Sequence, residues 1–271
     1  MIGTTISHYT ILEKLGEGGM GVVYKAQDTK LDRPVALKFL PEHLSASEQD
    51  KARFRQEAQA AASLNHPNIC TIYGIDEHQG QIFIAMELVE GQTLQEKKQT
   101  FTVKQSVEIS IQIADGLAAA HEKGIVHRDI KPENIMIRKD GIVQIMDFGL
   151  AKLRGSTRLT TSRSLLGTIA YMSPEQVQGL ETDHRTDVFS LGIILYELLA
   201  GQSPFTGVHE AAIIYEIVNV SPKPISAIVR TIDTRLEQVV LECLEKEPNE
   251  RYQSVKDVAV DLRRIKRDSD A

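Results

Sequence analysis

The hydrophobic pattern of the chain changes once, between Glu87 and Gly91, and this change limits the folds open to it. Before it, short apolar stretches alternate with polar residues and are bounded by Gly, Asp or Pro, as in strands. After it, apolar residues recur at the three- and four-residue spacing of helices. With 271 residues and 42% hydrophobic content, the chain can form two lobes around a cleft. We therefore predict an α+β fold in which a strand-rich lobe precedes a mainly helical one.

The first lobe is predicted to be a five-stranded antiparallel sheet with one long helix. The helix is expected from Ser47 to Leu64, a stretch rich in Ala, Gln, Glu and Arg. The five strands are expected at Tyr9 to Leu15, Gly21 to Asp28, Pro34 to Leu40, Ile69 to Asp76 and Gln81 to Glu87.

Capping residues and glycines divide the second lobe into helices. Thr102 and Gln105 form a capping box, and Gly124 ends the helix that follows. Later helices are expected at His184 to Ala200, Val208 to Val218, Asp233 to Leu244 and Ser254 to Ile265. The predicted boundaries are about 9–87 for the N-lobe, 88–91 for the hinge and about 92–266 for the C-lobe. Residues 267–271 are predicted to be a tail or the start of a linker.

Composition argues against several other classes of protein. The net charge of −6 does not favour nucleic acid or an anionic membrane as the main partner. No stretch approaches the roughly 18 apolar residues of a membrane span, and the N-terminus lacks the features of a secretory signal. Cys70 and Cys243 lie far apart in apolar surroundings, which predicts buried free thiols. We expect a cytoplasmic domain, whether or not a full-length protein is anchored in a membrane.

Two short segments carry the chemistry. Residues 127–134 read His-Arg-Asp-Ile-Lys-Pro-Glu-Asn, and Asp147-Phe148-Gly149 follows about a dozen residues later. Asp129 could accept a hydroxyl proton and Lys131 could hold a phosphate, while Asn134 and Asp147 could hold Mg²⁺. These are the tasks of phosphoryl transfer, in which positioning and charge neutralisation provide most of the catalysis.

A glycine-rich segment lies near the start of the chain. Gly16-Glu17-Gly18-Gly19-Met20-Gly21 fits the pattern G-x-G-x-x-G, which is weak by itself. A dinucleotide-binding fold would need a helix directly after it, whereas Val22 to Ala26 is predicted to be a strand. A glycine-rich hairpin between two strands suits a flap that covers phosphates with backbone N–H groups.

These segments together resemble the signature set of protein kinases. The sequences of residues 16–26 and of Tyr171 to Gln176 are similar to those of bacterial members of the eukaryotic-like, Hanks-type serine/threonine kinases. The resemblance extends from about Tyr9 to Ile265. It implies the two-lobed kinase fold. It also implies transfer of the γ-phosphate of Mg-ATP, with Mn²⁺ as an alternative ion, to Ser or Thr hydroxyls of proteins, including the chain's own.

The resemblance assigns roles to individual residues. Asp129 is the base, Lys131 contacts the γ-phosphate, and Asn134 and Asp147 hold the metal ions. Lys38, in Val35-Ala36-Leu37-Lys38, binds the α- and β-phosphates and pairs with a glutamate on the helix. Glu57 is favoured over Glu42 and Glu48 for that pair because Phe54 and Ala61 lie on its helical face. The ATP pocket implied, with Met86 as gatekeeper, comprises Gly16, Glu17, Gly18, Gly19, Met20, Gly21, Val23, Ala36, Lys38, Met86, Glu87, Val89 and Met136.

Regulatory and structural roles also follow from the resemblance. Arg128 is expected to meet a phosphate on the hydroxyl-rich stretch 155–168. The candidate phosphorylation sites are Thr160, Thr161 and Ser162, with Ser164 ranked below them. Thr168 and Glu133 are assigned to the substrate platform, although Glu133 is equally well explained as a solvated loop residue. Three residues are given structural roles: Glu175, Arg251 and Asp187.

Two other functions stay open at the level of sequence. The first is a pseudokinase or scaffold that binds nucleotide without transfer, against which the intact reaction residues argue. The second is a small-molecule kinase of related fold. Gly167-Thr168 and Ser173-Pro174-Glu175 favour a platform for protein substrates instead. Self-association for phosphorylation between two copies is a further expectation.

Departures from the family pattern include Gln144 and Met146 before Asp147 and Phe189 in place of tryptophan.

Overall fold

A computed structural model describes residues 1–18, 21–41, 48–97, 101–148 and 167–270. The first lobe contains a six-stranded antiparallel sheet in the order β1-β2-β3-β4-β6-β5. Its strands are β1 Thr5–Ile6, β2 Tyr9–Gly18, β3 Gly21–Asp28, β4 Arg33–Phe39, β5 Ile72–His78 and β6 Gln81–Glu87. The five predicted strands are all present, and β1 is additional. With two residues paired to Thr10 and Tyr9, β1 is too short to show an alternating pattern.

One helix, α1 (Glu48–Ala62), packs against this sheet. Phe54, Ala58 and Ala61 are buried at helical spacing and form its inner face. Lys51 ties the helix to β5 because its Nζ lies 3.2 Å from Oε1 of Glu77. The apolar face and this ion pair together fix the position of α1 beside the cleft.

The second lobe begins with a small sheet of β7 (Gly91–Thr93), β8 (Ile135–Arg138) and β9 (Val143–Ile145). The helices around it are α2 Leu94–Lys97, α3 Val103–His121, α4 Pro174–Val177, α5 Arg185–Ala200, α6 Glu210–Asn219, α7 Thr234–Cys243 and α8 Val255–Asp270. Almost every residue of α5 is buried, so this helix forms the centre of the lobe. The capping box of Thr102 and Gln105 opens α3 as predicted.

Two predicted boundaries need correction. Residues 267–270, expected as a tail, continue α8, and Arg235 on α7 holds this end through an ion pair of 2.7 Å with Asp268. The strand expected from Ile69 begins at Ile72 instead. Ile69 forms a parallel bridge to Ile145, so the residues before β5 bond to the second lobe rather than to their own sheet.

The segment before β5 connects the two lobes at the back of the cleft. The amide of Cys70 donates to the carbonyl of Ile145, and the amide of Ile145 donates to Asn68, both over 2.9 Å. The side chain of Asn68 adds a bond of 2.8 Å to the carbonyl of Val143. These bonds fix β9, which leads directly into Asp147, against the first lobe. In the described ranges, no helix is both long and apolar enough to cross a membrane.

Candidate active site

The loop of residues 127–131 is held from below by Asp187 on α5. Its Oδ2 accepts the amide of His127 and its Oδ1 the amide of Arg128, both over 2.8 Å. Arg128 adopts the left-handed conformation, with φ of 65°. Such a backbone is unfavourable for a side chain other than glycine and persists only where its surroundings fix it. Asp187 provides that constraint through these two hydrogen bonds.

Asp187 is fully buried and anionic. Burial by itself would raise the pKa of this carboxyl, but His121, whose Nε2 lies 2.8 Å from Oδ2, and the amide of His127 bring it below the ordinary value. The folded state therefore binds this proton less tightly than the unfolded chain does. The stability due to Asp187 is present above the unfolded pKa of about 3.9 and is lost as pH falls through the folded value.

This linkage gives a prediction for acid stability. Asp187→Asn should make the free energy of unfolding less dependent on pH below about pH 5, because one depressed carboxyl no longer titrates. Urea unfolding at several pH values measures the slope. Asp140→Asn, at a carboxylate exposed in the β8–β9 turn, serves as the control and should retain the wild-type slope. An equal slope in Asp187→Asn would contradict the assignment.

His127 aligns the two acidic segments with each other. Its Nε2 lies 2.7 Å from the carbonyl of Met146, and its Nδ1 lies 3.2 Å from the amide of Asp129. An amide can only donate, so Nδ1 accepts and the ring proton is on Nε2. Phe148 packs against the ring edge-to-face, with centroids 4.7 Å apart. One side chain thus connects the backbone before Asp147 with the backbone of Asp129.

The carboxylate of Asp129 lies in a compact polar cluster. Lys131 places its Nζ 3.1 Å from Oδ2 of Asp129 and 3.1 Å from the hydroxyl of Thr168. Asn134 donates its Nδ2 to the carbonyl of Asp129 over 2.8 Å and to its Oδ2 over 3.3 Å. The structure therefore brings together four residues that the sequence placed at one site.

Asp147 faces this cluster from the end of β9. Its backbone is left-handed, with φ of 61°, which turns the carboxylate toward Lys38 on β4. Lys38 is buried, and its Nζ lies 2.7 Å from Oδ2 of Asp147. Burial would raise the pKa of Asp147, but the ammonium of Lys38, with further effects from His127 and Lys131, places it below the ordinary value. Asp147 is consequently ionised at neutral pH.

Lys38 forms an ion pair that the sequence did not predict. The left-handed backbone of Asp147 brings its carboxylate to the ammonium of Lys38. Glu57 is half-buried on α1 and has interactions of its own. The pairing of Glu57 with Lys38 stays a prediction.

The oxygen atoms of Asp147 and Asn134 suit a hard divalent cation that also binds phosphate. Asp147 supplies an ionised carboxylate, and Asn134, whose nitrogen bonds to Asp129, has an amide oxygen in addition. Among the described residues, no group of three or more His, Cys, Asp or Glu side chains could hold a metal ion without help. Mg²⁺ typically binds one or two protein oxygens together with substrate phosphates and water. The residues present fit that mode of binding.

The residues assigned to the adenine pocket line the first-lobe side of the cleft. Ala36 and Met86 are register partners on β4 and β6 and share one apolar cluster, against which Val23 and Val89 pack. Met136 lies across the cleft on β8. The backbone amide of Glu87 donates to the carbonyl of Thr71 over 2.9 Å. The backbone carbonyl of Glu87 is therefore the group that can face the adenine base.

The glycine-rich hairpin joins β2 to β3. Gly16, Glu17 and Gly18 pair with Val23, Val22 and Gly21 respectively. Gly21 requires glycine, because its φ is 110° and a Cβ there would lie 1.8 Å from the carbonyl oxygen of Phe39. Gly19 and Met20 lie outside the described residues, as does Gly149.

The structure describes some of the residues assigned to regulation and substrate binding, and not others. Arg128 donates its Nε to the hydroxyl of Thr182 over 3.2 Å, and Gln176 donates to the carbonyl of Arg128 over 2.7 Å. Glu133 is exposed beside Gly167. The predicted phosphorylation sites, Thr160, Thr161 and Ser162, lie outside the described residues, as does Ser164.

Glu175 and Arg251 form a buried bidentate ion pair. The terminal nitrogens Nη1 and Nη2 of Arg251 donate to Oε1 and Oε2 of Glu175, each over 2.8 Å. Thr186 donates a further hydrogen bond of 2.7 Å to Oε1. Burial would raise the pKa of Glu175, but the bonds from Arg251 bring it below the ordinary value. This pair ties α4 to the segment before α8, and so supports the platform from beneath.

Sequence reasoning missed three residues that support the site. His121 hydrogen-bonds to Asp187, Gln176 to the backbone of Arg128, and Gln144 to Glu87. Gln176 could have been found, because Ser173 and Gln176 have the spacing of a capping box and form one. His121 and Gln144 carry no local signal, since each acts on a residue more than 50 positions away.

Comparison with known proteins identifies the family of this chain. The family model for the protein kinase domain matches residues 9–260. The chain belongs to the protein kinase family. Members of this family generally use ATP and divalent metal ions.

Curated kinases of bacteria cover almost the whole chain. The serine/threonine-protein kinase PknB of Mycobacterium tuberculosis is 40% identical over 275 residues, covering 97% of this chain and 44% of its own length. A probable serine/threonine-protein kinase of Clostridium perfringens is 38% identical over 272 residues, covering 99% of this chain and 40% of its own length. The chain thus spans less than half the length of these kinases.

Solved kinase structures share the fold. The crystal structure of the PknI kinase domain of Mycobacterium tuberculosis matches with a TM-score of 0.78 and 27% identity, covering 97% of this chain and 98% of that one. The predicted fold class and the predicted family are both confirmed.

Proposed function

We propose that this kinase domain transfers the γ-phosphate of ATP to Ser and Thr hydroxyls of proteins. The observation that carries the proposal is the chain of contacts from Asp129 through Lys131 to Thr168, each of 3.1 Å. These contacts support a role for Asp129 as the base, Lys131 as the cation and Thr168 as the edge of the substrate platform at one acceptor position. Relatives named as serine/threonine-protein kinases support the same acceptor class.

The residues divide the work of transfer between them. Asp129 accepts the proton of the acceptor hydroxyl, and Lys131 balances the charge on the γ-phosphate. Lys38 binds the α- and β-phosphates from the first lobe. Asn134 and Asp147 would hold Mg²⁺, or Mn²⁺ in its place, which neutralises charge on the phosphate oxygens. The low pKa of Asp147 keeps this carboxylate ionised for the task.

The adenine base would occupy the pocket of Val23, Ala36, Met86 and Met136, with its polar edge toward the backbone of Glu87 and Val89. The glycine-rich hairpin would cover the phosphates. On this proposal residues 9–87 form the N-lobe, 88–91 the hinge and 92–266 the C-lobe, with the end of α8 as a continuation of the C-lobe.

Control by phosphorylation is part of the proposal. The domain would phosphorylate Thr160, Thr161 or Ser162, in a second copy or in itself. The guanidinium of Arg128 presents five donors in a planar fork suited to a phosphate. Exposed Glu133 would favour a basic residue in the substrate.

A single experiment tests the transfer. The purified domain is incubated with Mg-ATP and a basic protein substrate, and both proteins are followed by intact-mass and tandem mass spectrometry. We expect additions of phosphate on Ser and Thr of both, with sites in the chain between residues 155 and 168. Binding of Mg-ATP by thermal shift with no phosphate on any protein would indicate a pseudokinase and contradict the proposal.

A further inference from the structure

Gln144 is a buried polar residue in the strand that leads to Asp147. Its neighbours Val143 and Ile145 point into the core of the second lobe, whereas Met146 packs against the cleft cluster of the first lobe. Side chains alternate along a strand, so Gln144 shares the cleft-facing side with Met146. With 3% of its surface exposed, Gln144 places an amide where its neighbours are apolar.

The amide of Gln144 holds Glu87, the last residue of β6 before the hinge. Its Nε2 donates to Oε2 of Glu87 over 3.0 Å, and the same oxygen accepts the amide of Thr71 over 3.3 Å. Glu87 also donates its own amide to the carbonyl of Thr71 over 2.9 Å. The orientation of the Gln144 amide is determined, because the reverse would set its oxygen against a carboxylate.

This contact has a cost in stability. The Oε1 atom of Gln144 is buried and has no hydrogen-bond partner among the described residues. A buried acceptor without a partner destabilises a fold, and an apolar side chain of similar size would avoid that penalty. Stability alone therefore does not account for an amide at this position, whereas its contact with Glu87 does.

We propose that Gln144 is a positioning residue for the nucleotide. The inference rests on the proposed function, in which the carbonyl of Glu87 meets the adenine base. β9 carries Gln144 and ends at Ile145, two residues before Asp147, which is assigned to the metal and phosphate end of the same nucleotide. The Gln144–Glu87 bond thus joins the residue that meets the base to the strand that carries Asp147, and sets the separation between the two ends of the ATP site.

The test is a charge change at Gln144 and its compensation at Glu87. Gln144→Glu places two carboxylates in contact, and we expect the Kd for Mg-ATP in calorimetry to rise roughly tenfold, the equivalent of one lost hydrogen bond. The Kd for magnesium tripolyphosphate, which has no base, should stay within about twofold. In kinetics, KM for ATP should rise with little change in kcat, because a positioning residue of the base does not take part in transfer.

The double variant Gln144→Glu/Glu87→Gln should restore the affinity for Mg-ATP. The amide introduced at position 87 can donate its nitrogen to the carboxylate introduced at position 144, while its oxygen accepts the amide of Thr71. The same two contacts therefore re-form with the charge moved. Gln112→Glu is the matched control, since Gln112 also bonds to the β9 region, through Val143, but far from the hinge. Its Kd for Mg-ATP should match that of the wild type.

Each outcome decides the matter. An unchanged Kd in Gln144→Glu, a tripolyphosphate Kd that rises equally, or a double variant without recovery would overturn the inference. Should Gln144→Glu not fold, Gln144→Met replaces it, which is expected to fold and to show the same selective loss of Mg-ATP affinity. Calorimetry requires no turnover, so a wild type that binds Mg-ATP but transfers no phosphate would contradict the proposed function and leave this test intact.

Discussion

Asp129→Asn is expected to lower the rate of phosphoryl transfer roughly 10²–10⁴-fold, the contribution usual for a general base. The substitution keeps the shape of the side chain and its contact with Asn134, but removes the charge that accepts the hydroxyl proton. The contact with Lys131 also changes from an ion pair of 3.1 Å to a hydrogen bond from the ammonium to an uncharged amide oxygen. Phosphate incorporation into a protein substrate, followed by mass spectrometry, measures the loss.

Two controls make this result specific. Asp140→Asn removes an exposed carboxylate near the β8–β9 turn and should transfer phosphate at the wild-type rate. The Kd of Asp129→Asn for Mg-ATP should stay within about threefold of the wild type, since Asp129 is assigned to the acceptor rather than to the nucleotide. Undiminished incorporation in Asp129→Asn would remove the base from the mechanism.

Arg251→Met is expected to lower the free energy of unfolding by about 3–5 kcal/mol, the usual cost of breaking a buried ion pair. Arg251 has no exposed side-chain surface, and its loss leaves the carboxylate of Glu175 buried without its counter-charge. It also removes donors from the carbonyls of Glu245, Lys246 and Arg185. Denaturant unfolding, monitored by circular dichroism, gives the difference.

A second substitution separates charge from packing. Glu175→Leu/Arg251→Met should recover part of the loss, because no uncompensated charge remains, although the three carbonyls still lack their donor. Arg263→Met, which breaks the exposed pair with Asp115, should cost no more than about 1 kcal/mol. Equal effects for Arg251→Met and Arg263→Met would show that burial of the Glu175 pair contributes nothing.

Much of the fold could be predicted from the sequence because its signals are local. The short apolar stretch of β6, the capping box before α3 and the left-handed Gly201 after α5 each involve neighbouring residues. The two-residue β1 and the helical end of α8 were missed. β1 has only two residues and therefore shows no periodic pattern, while the end of α8 is held by a contact with Arg235 on a separate helix.

In the candidate site too, residues close in sequence were predicted together, whereas contacts between separate elements were not. The spacing within residues 127–134 places Asp129, Lys131 and Asn134 together because they share one loop. The ion pair of Lys38 with Asp147 was not predictable in this way, since it depends on the left-handed backbone conformation of Asp147. Gln144 was noticed as a departure from the family pattern, but its contact with Glu87 spans 57 positions and leaves no trace in the local sequence.

The bridge between Ile69 and Ile145 has a mechanical consequence. The bonds of Asn68 and Cys70 fasten the β5 end of the first-lobe sheet to β9, so a rotation of that lobe about this edge moves nearby parts least. Displacement in a rotation grows with distance from the axis, and β2 and β3 lie on the far side of β4 and β6. Such a rotation would therefore move Met86 and Glu87 on β6 least and the glycine-rich ends of β2 and β3 most.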